Sequence, residues 1–149
     1  MVKFDKQGNL YLADKSGKLM LLDDSLGIRK FTGFPRPLVD IINNGDDEVL
    51  VLGIGDLYPN DKLLGAVGTF DLDNFSTPRL IFDQLPRPVQ FESGDIDADG
   101  EDDLLICNFG NYVGNLSYYH KTKDGYIPRL IKAAPGATRA FLMDIDGDT

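Results

Sequence analysis

Short apolar runs recur along the whole chain and are separated by clusters of Gly, Asn, Asp and Pro. Examples are NLYLAD (9–14), EVLVLG (48–53) and DLLICNF (103–109). Runs of this length between turn residues are typical of β-strands, and no longer window shows the 3.6-residue apolar period of an amphipathic helix. The pattern therefore predicts an all-β chain of many short strands.

Three motifs recur along the chain at a nearly constant spacing, with offsets of 51, 50 and 49 residues. The motifs and their later copies are FPRPLVD (34–40) with LPRPVQF (85–91), TPRLIFD (77–83) with IPRLIKA (127–133), and DIDADG (95–100) with DIDGDT (144–149). Self-similarity at a period near 50 indicates a repeated supersecondary unit, as in a propeller or a solenoid.

Each repeat can be divided into four strands, which is the number in one antiparallel blade of a β-propeller. The predicted strands are 2–5, 9–14, 18–23 and 27–32, then 36–42, 47–53, 63–71 and 78–83, and finally 87–94, 103–109, 114–121 and 126–133. The predicted fold is thus all-β, with β-propeller blades of four antiparallel strands. The alternative is a β-sandwich of unrelated hairpins.

The repeats predict about three blades and the start of a fourth, which form one partial propeller over residues 1–149. The predicted blades are approximately 1–33, 34–84 and 85–134, and the next one starts within 135–149. Because propellers typically close with four to eight blades, the sequence is expected to be a fragment of a longer propeller.

The charge of the chain narrows the classes of partner. The formal net charge is −9 and the isoelectric point is about 4.4, which argues against nucleic acid or anionic membrane as a general partner. Cys107 is the only cysteine, so an intrachain disulfide is impossible. The N-terminus shows no signal peptide, and no apolar stretch approaches the length of a membrane span.

The most concentrated charge lies in DIDADGEDD (95–103), where Asp residues occupy positions 1, 3, 5 and 9 and Gly100 permits a sharp turn. Alternate residues of a tight loop can point to a common centre, and Ca²⁺ prefers six to eight hard oxygen ligands. A helix–loop–helix calcium hand would need Glu at position 12, which is Ile106 here, and a helix where a strand is predicted. The remaining alternative is an acidic Asp-Gly turn without a metal.

The motif D-x-D-x-D-G-x-x-D between the first two strands of a blade resembles the FG-GAP/VCBS repeats of integrin-like propellers, as do Phe109-Gly110 and APGA (134–137). The resemblance implies recognition of a protein or carbohydrate ligand at an extracellular, cell-surface or periplasmic location, without membrane insertion. It also implies bound Ca²⁺. The implied ligands are Asp95, Asp97, Asp99, the Glu101 carbonyl and Asp103, with a partial second site at Asp144, Asp146 and Asp148.

Catalytic signals are weak in this sequence. His120 is the only histidine, expected at the rim, and Cys107 is expected to pack as a small apolar residue. Of the adjacent tyrosines 118 and 119, one is expected between blades and the other in solvent. The predicted function is a non-catalytic, calcium-stabilised recognition module. The alternative is part of a propeller enzyme, either a calcium-dependent polysaccharide lyase or a quinoprotein-like oxidoreductase.

Overall fold

The computed structural model describes residues 1–4, 8–45, 48–73, 75 and 78–145, which contain twelve β-strands and no helix. None of these residues forms a helix long and apolar enough to cross a membrane. The strands are β1 (Val2–Phe4), β2 (Leu10–Ala13), β3 (Lys18–Leu22), β4 (Ile28–Gly33), β5 (Leu38–Asn43), β6 (Glu48–Gly53), β7 (Gly65–Asp71), β8 (Arg79–Leu85), β9 (Pro88–Gly94), β10 (Asp103–Asn108), β11 (Asn115–Thr122) and β12 (Gly125–Lys132).

The strands form three separate four-stranded sheets, which we call sheet I (β1–β4), sheet II (β5–β8) and sheet III (β9–β12). In each sheet the strands pair antiparallel in chain order, and none of the sheets closes into a barrel. The prediction of an all-β chain is confirmed, and each predicted set of four strands forms one sheet. The blade boundaries and the closure of a propeller stay predictions.

Sheet II lies between the other two sheets, and β6 shows why. Successive side chains of a strand point to opposite faces, so a strand buried on both faces is continuously apolar. Val49 and Val51 belong to a core shared with sheet I, whereas Leu50 and Leu52 belong to a core shared with sheet III. All four side chains are fully buried. The short run EVLVLG therefore anchors two interfaces at once.

The first of these cores depends on a close contact between an aromatic ring and two glycines. Phe34, which directly follows β4, is 3% exposed, and its ring lies over Gly53 and Gly68 of sheet II. A Cβ atom added at Gly68 would lie 2.3 Å from Phe34 Cε2, far inside van der Waals contact. The ring of Phe34 thus occupies the space that a side chain would need.

We expect Gly68→Ala to lower the free energy of unfolding by about 1–3 kcal/mol, because the added methyl group overpacks the contact with Phe34. The measurement is urea denaturation followed by circular dichroism. Gly33→Ala is the matched control, since no atom lies within 4 Å of a Cβ built there. Equal losses in the two variants would contradict the argument from the aromatic contact.

Side-chain contacts with the backbone join β5 to β9, and β9 to the segment after β12. Asp40 Oδ2 of β5 accepts a hydrogen bond of 3.2 Å from the backbone N–H of Phe91 in β9. Gln90 of β9 binds the backbone of Ala140 in the same way, accepting from its N–H at 3.0 Å and donating to its carbonyl at 3.3 Å. The segment after β12 therefore lies against β9 much as β9 lies against β5.

Candidate metal centre

The loop between β9 and β10 is folded around the carboxylate of Asp95. Its Oδ1 accepts the N–H of Asp99 at 3.0 Å, and its Oδ2 accepts the N–H of Gly100 at 2.9 Å. Ala98 and Gly100 adopt left-handed backbone angles, with φ of 60° and 89°, which allow a tight turn. The Gly at position 6 thus serves the sharp turn that the motif predicts.

The tight turn brings three of the predicted ligands together. Asp95, Asp97 and Asp99 each offer a carboxylate oxygen, and these atoms all lie within 4.8 Å of one another. Oxygens that bind one Ca²⁺ lie about 2.3–2.6 Å from it, so two of them can be at most about 5 Å apart. The spacing and the hard oxygen chemistry of this set fit a single Ca²⁺ ion. All three side chains are exposed, which leaves them open to such an ion.

Asp103 differs from these three residues because it is fully buried at the start of β10. Its Oδ1 accepts the N–H of Lys121 at 2.7 Å, and its Oδ2 accepts the Tyr118 hydroxyl at 2.9 Å and the N–H of Ile96 at 3.2 Å. Burial acts to raise the pKa of Asp103, but these hydrogen bonds outweigh it and hold the pKa below its usual value. The carboxylate ties the loop to β11.

An aspartate carboxylate has about four acceptor positions, and three of those on Asp103 are filled by the bonds above. His120 Nδ1 lies 3.3 Å from Oδ1. Asp103 could therefore join a metal at the loop only if one of these contacts were exchanged. Glu101 is exposed, and its N–H donates to Asp99 Oδ1 at 2.9 Å. The predicted ligands thus fall into two groups. Asp95, Asp97 and Asp99 are exposed and clustered, whereas Asp103 is buried and its acceptor positions are already occupied.

Sequence reasoning missed that His120 and Tyr118 belong to the same cluster. His120 Nδ1 lies 3.1 Å from Asp97 Oδ2, and the Tyr118 hydroxyl lies 3.1 Å from the same oxygen. Asp97, Asp103 and His120 form a second group whose ligand atoms lie within 4.8 Å of one another. The two-residue spacing of Tyr118 and His120, on a strand next to β10, was the available signal, because it places both on one face.

Tyr118 and Tyr119 lie on opposite faces of β11, as predicted. The expectation that one of them lies in solvent is wrong, because Tyr118 is buried on the face away from sheet II. Tyr119 stacks on Phe82 of sheet II, with centroids 4.7 Å apart and ring planes 7° from parallel. Tyr118 is only 9% exposed, because the acidic loop covers it. Burial raises the pKa of Tyr118 well above its usual value, so the hydroxyl stays protonated and can donate to Asp103.

In sheet II, an arginine side chain pairs with the acidic residue that starts the second strand. Glu48, the first residue of β6, accepts hydrogen bonds from Asn44 Nδ2 at 2.7 Å and from Arg79 Nη2 at 3.0 Å. Burial of Glu48 raises its pKa, and the bonds from Asn44 and Arg79 reverse that effect and lower it. An arginine thus compensates the acid here, whereas the carboxylates of 95–99 are held by backbone N–H groups, the Tyr118 hydroxyl and His120.

The predicted second site lies only in part within the described residues. Asp144 lies within the described residues, but Asp146 and Asp148 lie outside them. The partial site at 144–148 therefore stays a prediction.

A cleft of about 390 Å³ is formed where the first strands of the sheets approach one another. It combines two cationic residues, Lys3 and Arg139, with two acidic ones, Glu92 and Asp102. Ser93 also lines it, and the Oγ of this serine is buried without a hydrogen-bond partner among the residues described. The volume and the mixed charge are suited to a polar ligand.

No protein-family model matches the chain, and no curated protein is similar to it at a significant level. The resemblance to FG-GAP/VCBS repeats, which rests on the loop motif, therefore stays a prediction.

Proposed function

We propose that the chain is a calcium-stabilised repeat module of the propeller type that recognises a protein or a glycan and has no catalytic role. The observation that carries the proposal is the set of three carboxylates, Asp95, Asp97 and Asp99, with oxygens within 4.8 Å. This set lies at a corner of one of three similar four-stranded sheets. Hard oxygens from a nine-residue acidic loop favour Ca²⁺ over metals that prefer His or Cys.

The arrangement of the sheets supports the propeller part of the proposal. Propeller blades are four-stranded antiparallel sheets that pack face to face around an axis, with their first strands innermost. Sheets I, II and III are meanders of this kind, and sheet II packs on both neighbours. Asp40 of β5 binds the backbone of Phe91 in β9, and Gln90 of β9 binds the backbone of Ala140 in the segment after β12; this recurrence favours a further blade after sheet III.

The proposed role of Ca²⁺ is structural. Three exposed carboxylates held this close repel one another, and one divalent cation would turn that repulsion into attraction. Asp103 already holds the base of the loop through buried hydrogen bonds, which favours a stabilising use of the cluster over a catalytic one. A structural calcium site of this kind suits an extracellular, cell-surface or periplasmic location, where Ca²⁺ is abundant enough for weak sites.

Recognition is the activity best supported by the surface of the molecule. The cleft lined by Lys3, Glu92, Asp102 and Arg139 presents both signs of charge over apolar neighbours such as Phe4. Paired charges of both signs can bind the polar groups of a protein loop, and the same groups can donate to and accept from sugar hydroxyls. We therefore propose this cleft as the surface at which a protein or glycan ligand is bound.

The calcium part of the proposal predicts a thermal shift. With Ca²⁺ at about 100 times its dissociation constant, the folded state gains about 2.7 kcal/mol, which corresponds to a rise of roughly 5–10 °C in Tm for a chain of this size. Differential scanning calorimetry of the chain in EDTA and in Ca²⁺ measures the shift, and Mg²⁺ serves as the ion control. Identical transitions in EDTA and Ca²⁺ would contradict the proposal.

Two variants locate the bound ion. Asp97→Asn should abolish the calcium-dependent rise in Tm, because it removes the charge of one of the three clustered carboxylates. Asp124→Asn is the matched control, since it removes an exposed aspartate from the β11–β12 turn, and it should keep the full rise. A calcium response that survives in Asp97→Asn would place the ion elsewhere.

A further inference from the structure

Asn44 and Gly45 form the only Asn-Gly pair in the sequence, and they lie in the turn between β5 and β6. Asparagine is a chemically labile residue, because the backbone nitrogen of the next residue can attack its side-chain amide. Glycine favours this attack, since it has no Cβ atom to hinder the approach of its nitrogen. The turn therefore contains the pair of residues with which spontaneous deamidation is fastest.

The structure leaves the attacking nitrogen of this pair free. Gly45 is exposed, with φ of 77°, and no atom lies within 4 Å of a Cβ built on it. Within the part of the chain that the structure describes, the N–H of Gly45 donates no hydrogen bond. A bound N–H would have to give up its partner before the nitrogen could attack, so its freedom favours the reaction.

The acidic loop of sheet III shows a similar pair in a protected state. Asp99 precedes Gly100, and an Asp-Gly pair can form the same cyclic product with loss of water. There the N–H of Gly100 donates to Asp95 Oδ2 at 2.9 Å, and Asp99 Oδ1 accepts the N–H of Glu101 at 2.9 Å. Both reacting groups are thus bound in the acidic loop, whereas in the turn of sheet II only the side-chain amide is bound.

We propose that Asn44 is a site of spontaneous deamidation, at which the chain is slowly modified without an enzyme. The Gly45 nitrogen forms a bond to Cγ of Asn44, the bond from Cγ to Nδ2 breaks, and the proton of the Gly45 N–H leaves with Nδ2 as ammonia. Water then opens the resulting succinimide. Cleavage of its bond to Cγ gives aspartate, and cleavage of its bond to the main-chain carbonyl carbon gives isoaspartate.

Either product disturbs the contacts that close the turn. Asn44 Nδ2 donates to Glu48 Oε2 at 2.7 Å, and the N–H of Asn44 donates to the carbonyl of Glu48 at 2.8 Å. Deamidation replaces the donating amide with a carboxylate, so one hydrogen bond is lost and two negative charges face each other. In isoaspartate the main chain of the turn is also longer by one carbon. The modified chain is therefore less stable at this corner of sheet II.

Incubation of the purified chain in mildly alkaline buffer with EDTA, followed by peptide mapping and mass spectrometry, tests the site. Asn44 should be converted to aspartate and isoaspartate while the other asparagines stay intact. Ion exchange should resolve the product by its added negative charge, and the product should unfold at a lower urea concentration than the parent chain. The proposal would be wrong if Asn44 stayed intact in the folded chain while it reacted in the urea-unfolded chain.

The variant Asp99→Asn is the matched control, because it has two Asn-Gly pairs in one chain. In urea both pairs are unfolded and should react at similar rates. In the folded variant, position 44 should react several times faster than position 99, since the N–H of Gly100 is bound by Asp95. Equal rates in the folded variant, or a faster reaction at position 99, would overturn the assignment of the site from the free Gly45 nitrogen.

Discussion

Asp103→Asn is expected to lower the free energy of unfolding by about 2–4 kcal/mol, because the amide cannot accept all the hydrogen bonds that the buried carboxylate accepts. The N–H groups of Lys121 and Ile96 and the hydroxyl of Tyr118 all donate to Asp103. In the variant, the NH₂ group of Asn would face one or two of these donors. The orphaned donors stay buried, and their desolvation is then uncompensated.

Urea denaturation in EDTA gives the cleanest measurement of this loss, because bound metal then plays no part. Asp102→Asn is the matched control, since it removes the same charge from the exposed neighbouring position. It should change the stability by no more than about 0.5 kcal/mol. If the two variants were equally stable in EDTA, Asp103 would not be the anchor that its hydrogen bonds indicate.

The strands could be predicted from the sequence because their signals are local. The run DLLICNF and the Gly-rich turns define their own conformations through β-branched residues and positive φ, and the repeat of about 50 residues then groups the strands in fours. The structure follows this closely: β10 spans Asp103–Asn108, and the predicted strand was 103–109. The tight loop at 95–100 was predictable for the same reason, since Gly100 alone marks the turn.

The partition of roles within the acidic loop could not be predicted, because it depends on the pairing of β10 with β11. In the motif, Asp103 is one of four equivalent carboxylates. Its burial and its saturation with donors follow only from the register that pairs Leu104 with Tyr119 and so brings Tyr118 and His120 over the loop. The contacts of His120 with Asp97 and Asp103 depend on the same register, and the expected place of His120 at the rim did not predict them.

Local patterns also do not tell which face of a strand is buried when both are apolar. In β3 the alternating residues Leu19 and Leu21 are buried, whereas Met20 and Leu22 lie on the opposite face of the strand and are partly exposed. The sequence KLMLLD (18–23) contains no signal that distinguishes the two sets. Only the packing of sheet I on sheet II does so, through contacts between residues distant in sequence.

Phe91→Ala is expected to lower the free energy of unfolding by about 3–5 kcal/mol, because it removes a fully buried ring from the core between sheets II and III. Phe141→Ala is the control of the same residue type, since Phe141 is 60% exposed and its loss should have a small effect. Chemical denaturation measures both. A loss of less than about 1 kcal/mol for Phe91→Ala would contradict the packing of sheet III on sheet II.

Double-mutant cycles make the test specific for the stacking of the sheets. Leu50 and Val49 are adjacent in β6, but Leu50 shares a core with Phe91 whereas Val49 faces sheet I. Truncations of residues in one core are coupled by about 0.5–3 kcal/mol, and those of separate sites are nearly additive. Phe91→Ala should therefore be coupled to Leu50→Ala and additive with Val49→Ala. Equal coupling in both cycles would mean that the two faces of sheet II do not belong to separate interfaces.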